Sequence, residues 1–138
     1  MKRDFRLSED DEVFLNSLSL NWEAISEGGM QWIIIRDFPV TPGFNVEKVD
    51  VAIKIEVGYP RTQLDMAYFF PPLSRKDGCP IGAVSSQNIQ NVVYQRWSRH
   101  RTPTNPWREG IDDLSTHMSL VSFWFEQEFI KKPRAVPA

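Results

Sequence analysis

Val49-Asp50-Val51-Ala52-Ile53-Lys54-Ile55-Glu56-Val57 is the stretch that decides the fold. Aliphatic side chains fill every second position, and Asp50, Ala52, Lys54 and Glu56 fill the others. That period of two predicts an antiparallel strand with one buried and one wet face. Gly58-Tyr59-Pro60 ends it, Asp65 to Phe70 reads as a short aromatic strand, and Pro71-Pro72 stops the sheet.

Upstream, Gly28-Gly29 is a turn signal between the segment from Trp22 and the Ile-rich run Met30 to Arg36, which predicts a hairpin. The prolines and glycine of Phe38 to Asn45 close that strand in a broad turn. Before it, Ser8 followed by Glu9, Asp10 and Asp11 reads as an N-cap with acids in the first turn, predicting a helix from about Glu9 to Leu18 with Phe14 and Leu18 on one face. Downstream, Leu114, Met118, Val121 and Phe125 recur at helical spacing behind Asp112 and Asp113, with Lys131, Lys132 and Pro133 at the far end. Between Pro71 and Pro106 the pattern predicts an irregular connection, with a short strand or helical turn within Ile89 to Trp97. Such a connection tends to be functional when ordered.

The sum is an α+β domain: an N-terminal helix, an antiparallel meander of about four strands, a long active-site segment, and a C-terminal helix packed on the sheet. At 138 residues and 41% hydrophobic, one domain over 1–138 is expected, with its core in 8–130 and a loose tail over 131–138. The apolar runs Trp32 to Ile35 and Val121 to Phe125 fall far short of the roughly 20 residues of a membrane span. Met1 to Phe5 has no apolar stretch behind its basic residues, so no secretory signal is read and a cytoplasmic location is the expectation. A lone cysteine, Cys79, excludes an intramolecular disulfide, and with two histidines it leaves no pattern for a metal. A net charge of -2 argues against non-specific coating of nucleic acid.

The element order, with a Tyr-Pro turn between strands and a tryptophan shortly before the last helix, resembles the ubiquitin-conjugating enzyme (UBC) superfamily. Gly58-Tyr59-Pro60, Asp65 to Phe70 with Pro71-Pro72, and Trp107 leading into Asp112 to Phe129 carry the likeness. Trp97-Ser98-Arg99-His100, followed by Trp107, Gly110, Asp113-Leu114 and Thr116-His117, is similar more specifically to prokaryotic family E of that superfamily. The likeness runs from about Leu15 to Phe129. It implies a UBC-like fold and a minimal bacterial transferase without a cofactor. Such an enzyme accepts the C-terminus of a ubiquitin-like protein from an adenylating activating enzyme and passes it to an amine or hydroxyl of a protein target. The His-Pro-Asn motif of eukaryotic members is absent, as are the C-terminal helices of larger ones.

An acyl carrier needs an accessible nucleophile, a base and donors for an oxyanion. Cys79 is the intrinsically stronger nucleophile and follows Asp77-Gly78, but it stands far ahead of Trp107. Ser98 is better placed relative to Trp107 by the resemblance, and its intermediate would be an oxyester. Its hydroxyl needs a general base, and His100 and His117 are the only imidazoles. Asp113, one helical turn before His117, is placed to fix that ring's tautomer. Asn88 and Asn91 precede Ser98 at about the family's spacing for an oxyanion donor. The arginines of Arg96 to Arg101, with Arg108, interleave with Tyr94, Trp97 and Trp107, a pattern that fits a nucleic-acid patch, an acidic partner surface, or arginine stems covering aromatic faces that anchor the loop. Three functions compete: the acyl carrier, a non-catalytic UBC-fold scaffold that binds a ubiquitin-like protein, and a nucleic-acid module, which the acidic balance disfavours.

Overall fold

The computed structural model of the chain describes residues 2–132. Ser8 caps α1 (Glu9–Ser17), its hydroxyl accepting the Asp11 N–H at 3.2 Å. Then follow β1 (Trp22–Glu27), β2 (Met30–Pro39), β3 (Lys48–Ile55), β4 (Ala67–Phe70), β5 (Val84–Ile89), β6 (Val92–Trp97) and α2 (Leu114–Lys131). The strands make one antiparallel sheet in the order β1-β2-β3-β4-β6-β5.

The deciding stretch behaves as its period requires. Val49, Val51, Ile53 and Ile55 are buried on one face of β3, while Asp50 and Lys54 are half-buried on the other. Val57 breaks the pattern: the strand has ended at Ile55 and Val57 is 94% exposed. β2 runs on to Pro39 by way of an irregularity between Ile35 and Phe38, where Asp37 takes a positive φ of 55°. The helix face of the sheet carries the main core, in which Trp97 packs edge-on to Phe69 at 5.0 Å and to Phe125 of α2 at 5.8 Å. As the helical spacing predicts, Leu114, Met118, Val121 and Phe125 are the buried face of α2. Pro133 and residues 133–138 of the expected tail lie outside the described residues.

The count of about four strands and the irregular reading of 71–106 are both corrected by the β5–β6 hairpin. Its second strand lies in the segment singled out, Ile89 to Trp97, but β5 (Val-Ser-Ser-Gln-Asn-Ile) is an edge strand that buries only Ile89, so it has no apolar alternation to read. The turn is also disguised. Gln90 and Asn91, with φ of 52° and 61°, supply the two left-handed residues of a two-residue hairpin loop without the usual glycine.

The opposite face holds a second cluster, Ile25, Trp32, Ile34, Ala52, Tyr68, Ile89 and Tyr94, to which neither helix contributes. Its rim is polar. Arg36 bridges Glu23 and Asp50, and the Glu27 carboxylate accepts the Gln90 N–H at 3.0 Å. That bond links turns belonging to opposite edges of the sheet, which requires the sheet to curl around the cluster.

Candidate functional site

Ser98 follows β6 directly. Its N–H donates to the Ala83 carbonyl at 3.0 Å, extending the hairpin by one pair and fixing where the serine leaves the sheet. Residues 98–113 then cross to α2 over the end of the sheet, held at several points. Trp107 donates from Nε1 to the Pro60 carbonyl at 3.0 Å, and its ring lies 6.3 Å from that of Tyr59. The Tyr59 hydroxyl donates to Asp11 Oδ2 at 2.7 Å and accepts the Leu114 N–H at 2.7 Å, so the Tyr-Pro turn joins α1 to the start of α2. Burial, then the Asp11 carboxylate, push the phenol well above its usual pKa, and burial likewise raises Asp11.

His100 stands exposed on this loop, its Nδ1 at 2.9 and 3.0 Å from the two oxygens of Asp65. In the neutral tautomer whose Nδ1–H donates a hydrogen bond to the Asp65 carboxylate, Nε2 carries the lone pair. Ser98 and His100 line one cleft of about 520 Å³, together with Arg101, Asn105, Trp124 and Lys131. A hydroxyl, an imidazole oriented by a carboxylate, and a side-chain amide thus share one surface. Acyl transfer through a serine uses residues of these types, and among the described residues no hydrogen bond joins the Ser98 hydroxyl to the His100 ring in this structure.

His117 is not part of it. The ring is 1% exposed and does not line the cleft; Nε2 donates to the Met66 carbonyl at 2.8 Å, and Nδ1 is buried without a partner. Burial lowers its pKa and keeps it neutral. The expected carboxylate partner is engaged elsewhere. Asp113 accepts the Thr116 N–H and the Ser115 hydroxyl in the cap of α2, so the Met66 carbonyl fixes the tautomer instead.

Asn88 and Asn91 are at the wrong end of the hairpin. The register Asn88↔Val93 sets both beyond four residues of β6, about 13 Å or more from Ser98. Asn105 and Gln127 are the amides that line the cleft, the Asn105 Oδ1 lying 3.5 Å from Arg101. Cys79 lies between β4 and β5, where the Asp77 carboxylate accepts its N–H at 3.0 Å, and it does not line the cleft.

The basic-aromatic pattern divides between faces and serves as anchorage. Tyr94 belongs to the second cluster, and Arg96 donates to Ser85 at 2.8 Å. Arg99 lies over the buried Trp97 and pairs with Glu128 at 2.8 Å. Arg101, 6% exposed, lies over Trp107 and faces Asp112 at 3.6 Å. Burial pushes the Asp112 carboxyl up, but the Arg108 N–H, Thr116 and the two guanidinium groups outweigh it and hold it below the ordinary range. A second cleft of about 550 Å³, lined by Phe5, Lys54 and Tyr59 among others, holds only Ser8 as a hydroxyl nucleophile apart from the phenol, and that hydroxyl caps α1.

Among the described residues no group of three histidine, cysteine, aspartate or glutamate side chains is placed to hold a metal ion, and no helix is long and apolar enough to cross a membrane. The family profile described as Prokaryotic E2 family E matches residues 7–128. No curated protein and no solved structure matches the chain.

Proposed function

The chain belongs to prokaryotic E2 family E, a ubiquitin-conjugating type, and from that premise we propose that it carries the C-terminus of a ubiquitin-like protein as an oxyester on Ser98. The observation that supports this reading is the Asp65–His100 pair on the cleft that Ser98 lines. The donor is the thioester formed by an adenylating activating enzyme. His100 Nε2 takes the Ser98 proton as Oγ attacks the thioester carbonyl. The tetrahedral oxyanion collapses with cleavage of the carbon–sulfur bond, and His100 returns the proton to the departing thiolate. Asp65 holds the ring and offsets the charge of the transient imidazolium. The Asn105 amide, on the same cleft, supplies an N–H donor for the oxyanion. An amine or hydroxyl of the target protein then attacks the ester, its proton passing to the His100 imidazole, which delivers it to the departing Ser98 oxygen.

The test is reconstitution with the cognate activating enzyme, ubiquitin-like protein and ATP, read by intact mass. An adduct that resists thiol reductant, persists in Cys79→Ala and vanishes in Ser98→Ala is the expected result. Loss only in Cys79→Ala moves the carrier to a thioester on Cys79. No adduct with active partners leaves a non-catalytic scaffold for the ubiquitin-like protein.

A further inference from the structure

The two edges of the sheet are treated differently. The β1 edge is covered by the chain itself: Ala24 donates to the Lys2 carbonyl, Asp4 donates to the Ala24 carbonyl, and the Asp4 carboxylate accepts the Ser26 N–H. Among the described residues the β5 edge is bare. Its two-residue turn makes Ile89↔Val92 a hydrogen-bonded pair, so Gln87 and Ser85 also bond to β6, as does Ala83, whose carbonyl accepts the Ser98 N–H. The alternate residues Val84, Ser86 and Asn88 therefore point their N–H and C=O groups away from β6. All three residues are exposed, and among the described residues nothing reaches the main-chain groups of Val84 and Ser86. β5 carries no charge, no proline and no irregular pairing, the devices by which exposed edges are normally blunted.

We infer that this edge receives the extended C-terminal tail of the ubiquitin-like protein as a seventh, antiparallel strand that leads its carboxylate to Ser98; this rests on the carrier reading above. Direction and charge select that occupant. A strand antiparallel to β5 runs from Asn88 toward Val84, and the Val84 end is the one tied to Ser98 through Ala83. Beyond Val84 the tail must cross two strand spacings, about 10 Å, or about three residues. The way lies past Gly82 and Ala83, which present little side chain. Cations gather there. Arg99 donates to the Gly82 carbonyl at 3.1 Å, Lys132 Nζ lies 3.6 Å from where a Cβ on Gly82 would stand, and Lys131 lines the cleft with Ser98. Neither lysine is in an ion pair among the described residues, which suits an arriving carboxylate. On the helix face, Val84, Val93 and Pro72 line a shallow cleft of about 280 Å³ that takes alternate side chains of an added strand.

The test needs no activating enzyme. The isotope-labelled full chain is titrated with Thr-Val-Thr-Val-Thr-Val-Gly-Gly as free acid and as C-terminal amide, followed by amide shifts and hydrogen exchange. The free acid should protect the Val84, Ser86 and Asn88 amides, and the amide form should bind more weakly. Ser86→Pro removes an outward N–H without touching the β6 ladder and should weaken binding about fivefold or more, the loss of one main-chain hydrogen bond, while Ser86→Ala leaves it intact. Of two peptides N-methylated at alternate residues in opposite phase, one should bind and the other not. Absence of protection, equal binding by acid and amide, or indifference to the methylation phase each overturns the inference. So does protection of these amides that grows with protein concentration in the absence of peptide, since a second copy then occupies the edge. Edge pairing without an adduct in the reconstitution would instead count against the carrier reading alone.

Discussion

His117 makes stability depend on pH in a direction the structure dictates. Burial is the largest influence on the ring and lowers its pKa; the Met66 carbonyl and the Asp65 carboxylate act in the opposite direction, and the Arg101 guanidinium reinforces the lowering. The folded pKa therefore lies below the ordinary 6.5 that the imidazole regains on unfolding. Above that ordinary value both states are neutral and the ring is silent. As pH falls below it the unfolded chain binds a proton that the fold refuses, and stability declines by about 1.4 kcal/mol per unit until the folded pKa is reached. His117→Gln keeps an N–H for the Met66 carbonyl and removes the titration.

Near neutrality the variant should be less stable than wild type by about 1–2 kcal/mol, for an imperfectly replaced buried hydrogen bond. Below pH 6.5 that gap should narrow, by at most about 1.4 kcal/mol per unit, until the folded pKa is reached. Urea unfolding followed by fluorescence of the five tryptophans, at intervals from about pH 7.5 to pH 5, measures both curves. Asp11, with its raised pKa, favours the fold as pH falls, but it is common to both proteins and cancels in the difference. Parallel curves across the window would falsify the claim that the ring is buried neutral.

Other substitutions probe the scaffold and the site. Tyr59→Phe strands the Asp11 carboxylate and the Leu114 N–H together and should lower stability by about 2–4 kcal/mol in urea unfolding; a loss below about 1 kcal/mol would show that water replaces the hydroxyl. Arg75 has a fully buried side chain that bonds Asp77 twice and the Glu128 carbonyl at 3.0 Å. Arg75→Met should lower stability by about 2–4 kcal/mol, and adding Asp77→Asn should recover part of it; strictly additive losses would mean that the pair is not coupled. Asp65→Asn should slow Ser98 adduct formation about a hundredfold or more while leaving the unfolding midpoint within about 0.5 kcal/mol, whereas an unchanged rate would remove the imidazole from the mechanism.

What the sequence conceals follows from what each element buries. β3 and α2 are legible because each turns one face to the core, so their periods are written in aliphatic residues. β5 buries one residue of six and is silent, although it sets the geometry of everything after it. The residue types of the proposed site were visible in Trp97-Ser98-Arg99-His100, but their partners were not, because partnership here is a matter of register. The pairing Ala67↔Trp97 puts the chain just before β4 beside the chain just after β6, and so brings Asp65 to His100 across 35 residues. No local spacing encodes that. Asp113, which is local to His117, offers the false alternative, and its carboxylate is taken by the helix cap. The imidazole with a carboxylate and an open second nitrogen is thus the one whose partner comes from another strand, and shifting the β4–β6 register by one residue would separate them. A site built this way depends on a hairpin that contributes only Ile89, Tyr94 and Trp97 to the buried clusters. Weakening the β5–β6 turn should therefore impair Ser98 chemistry before it unfolds the domain.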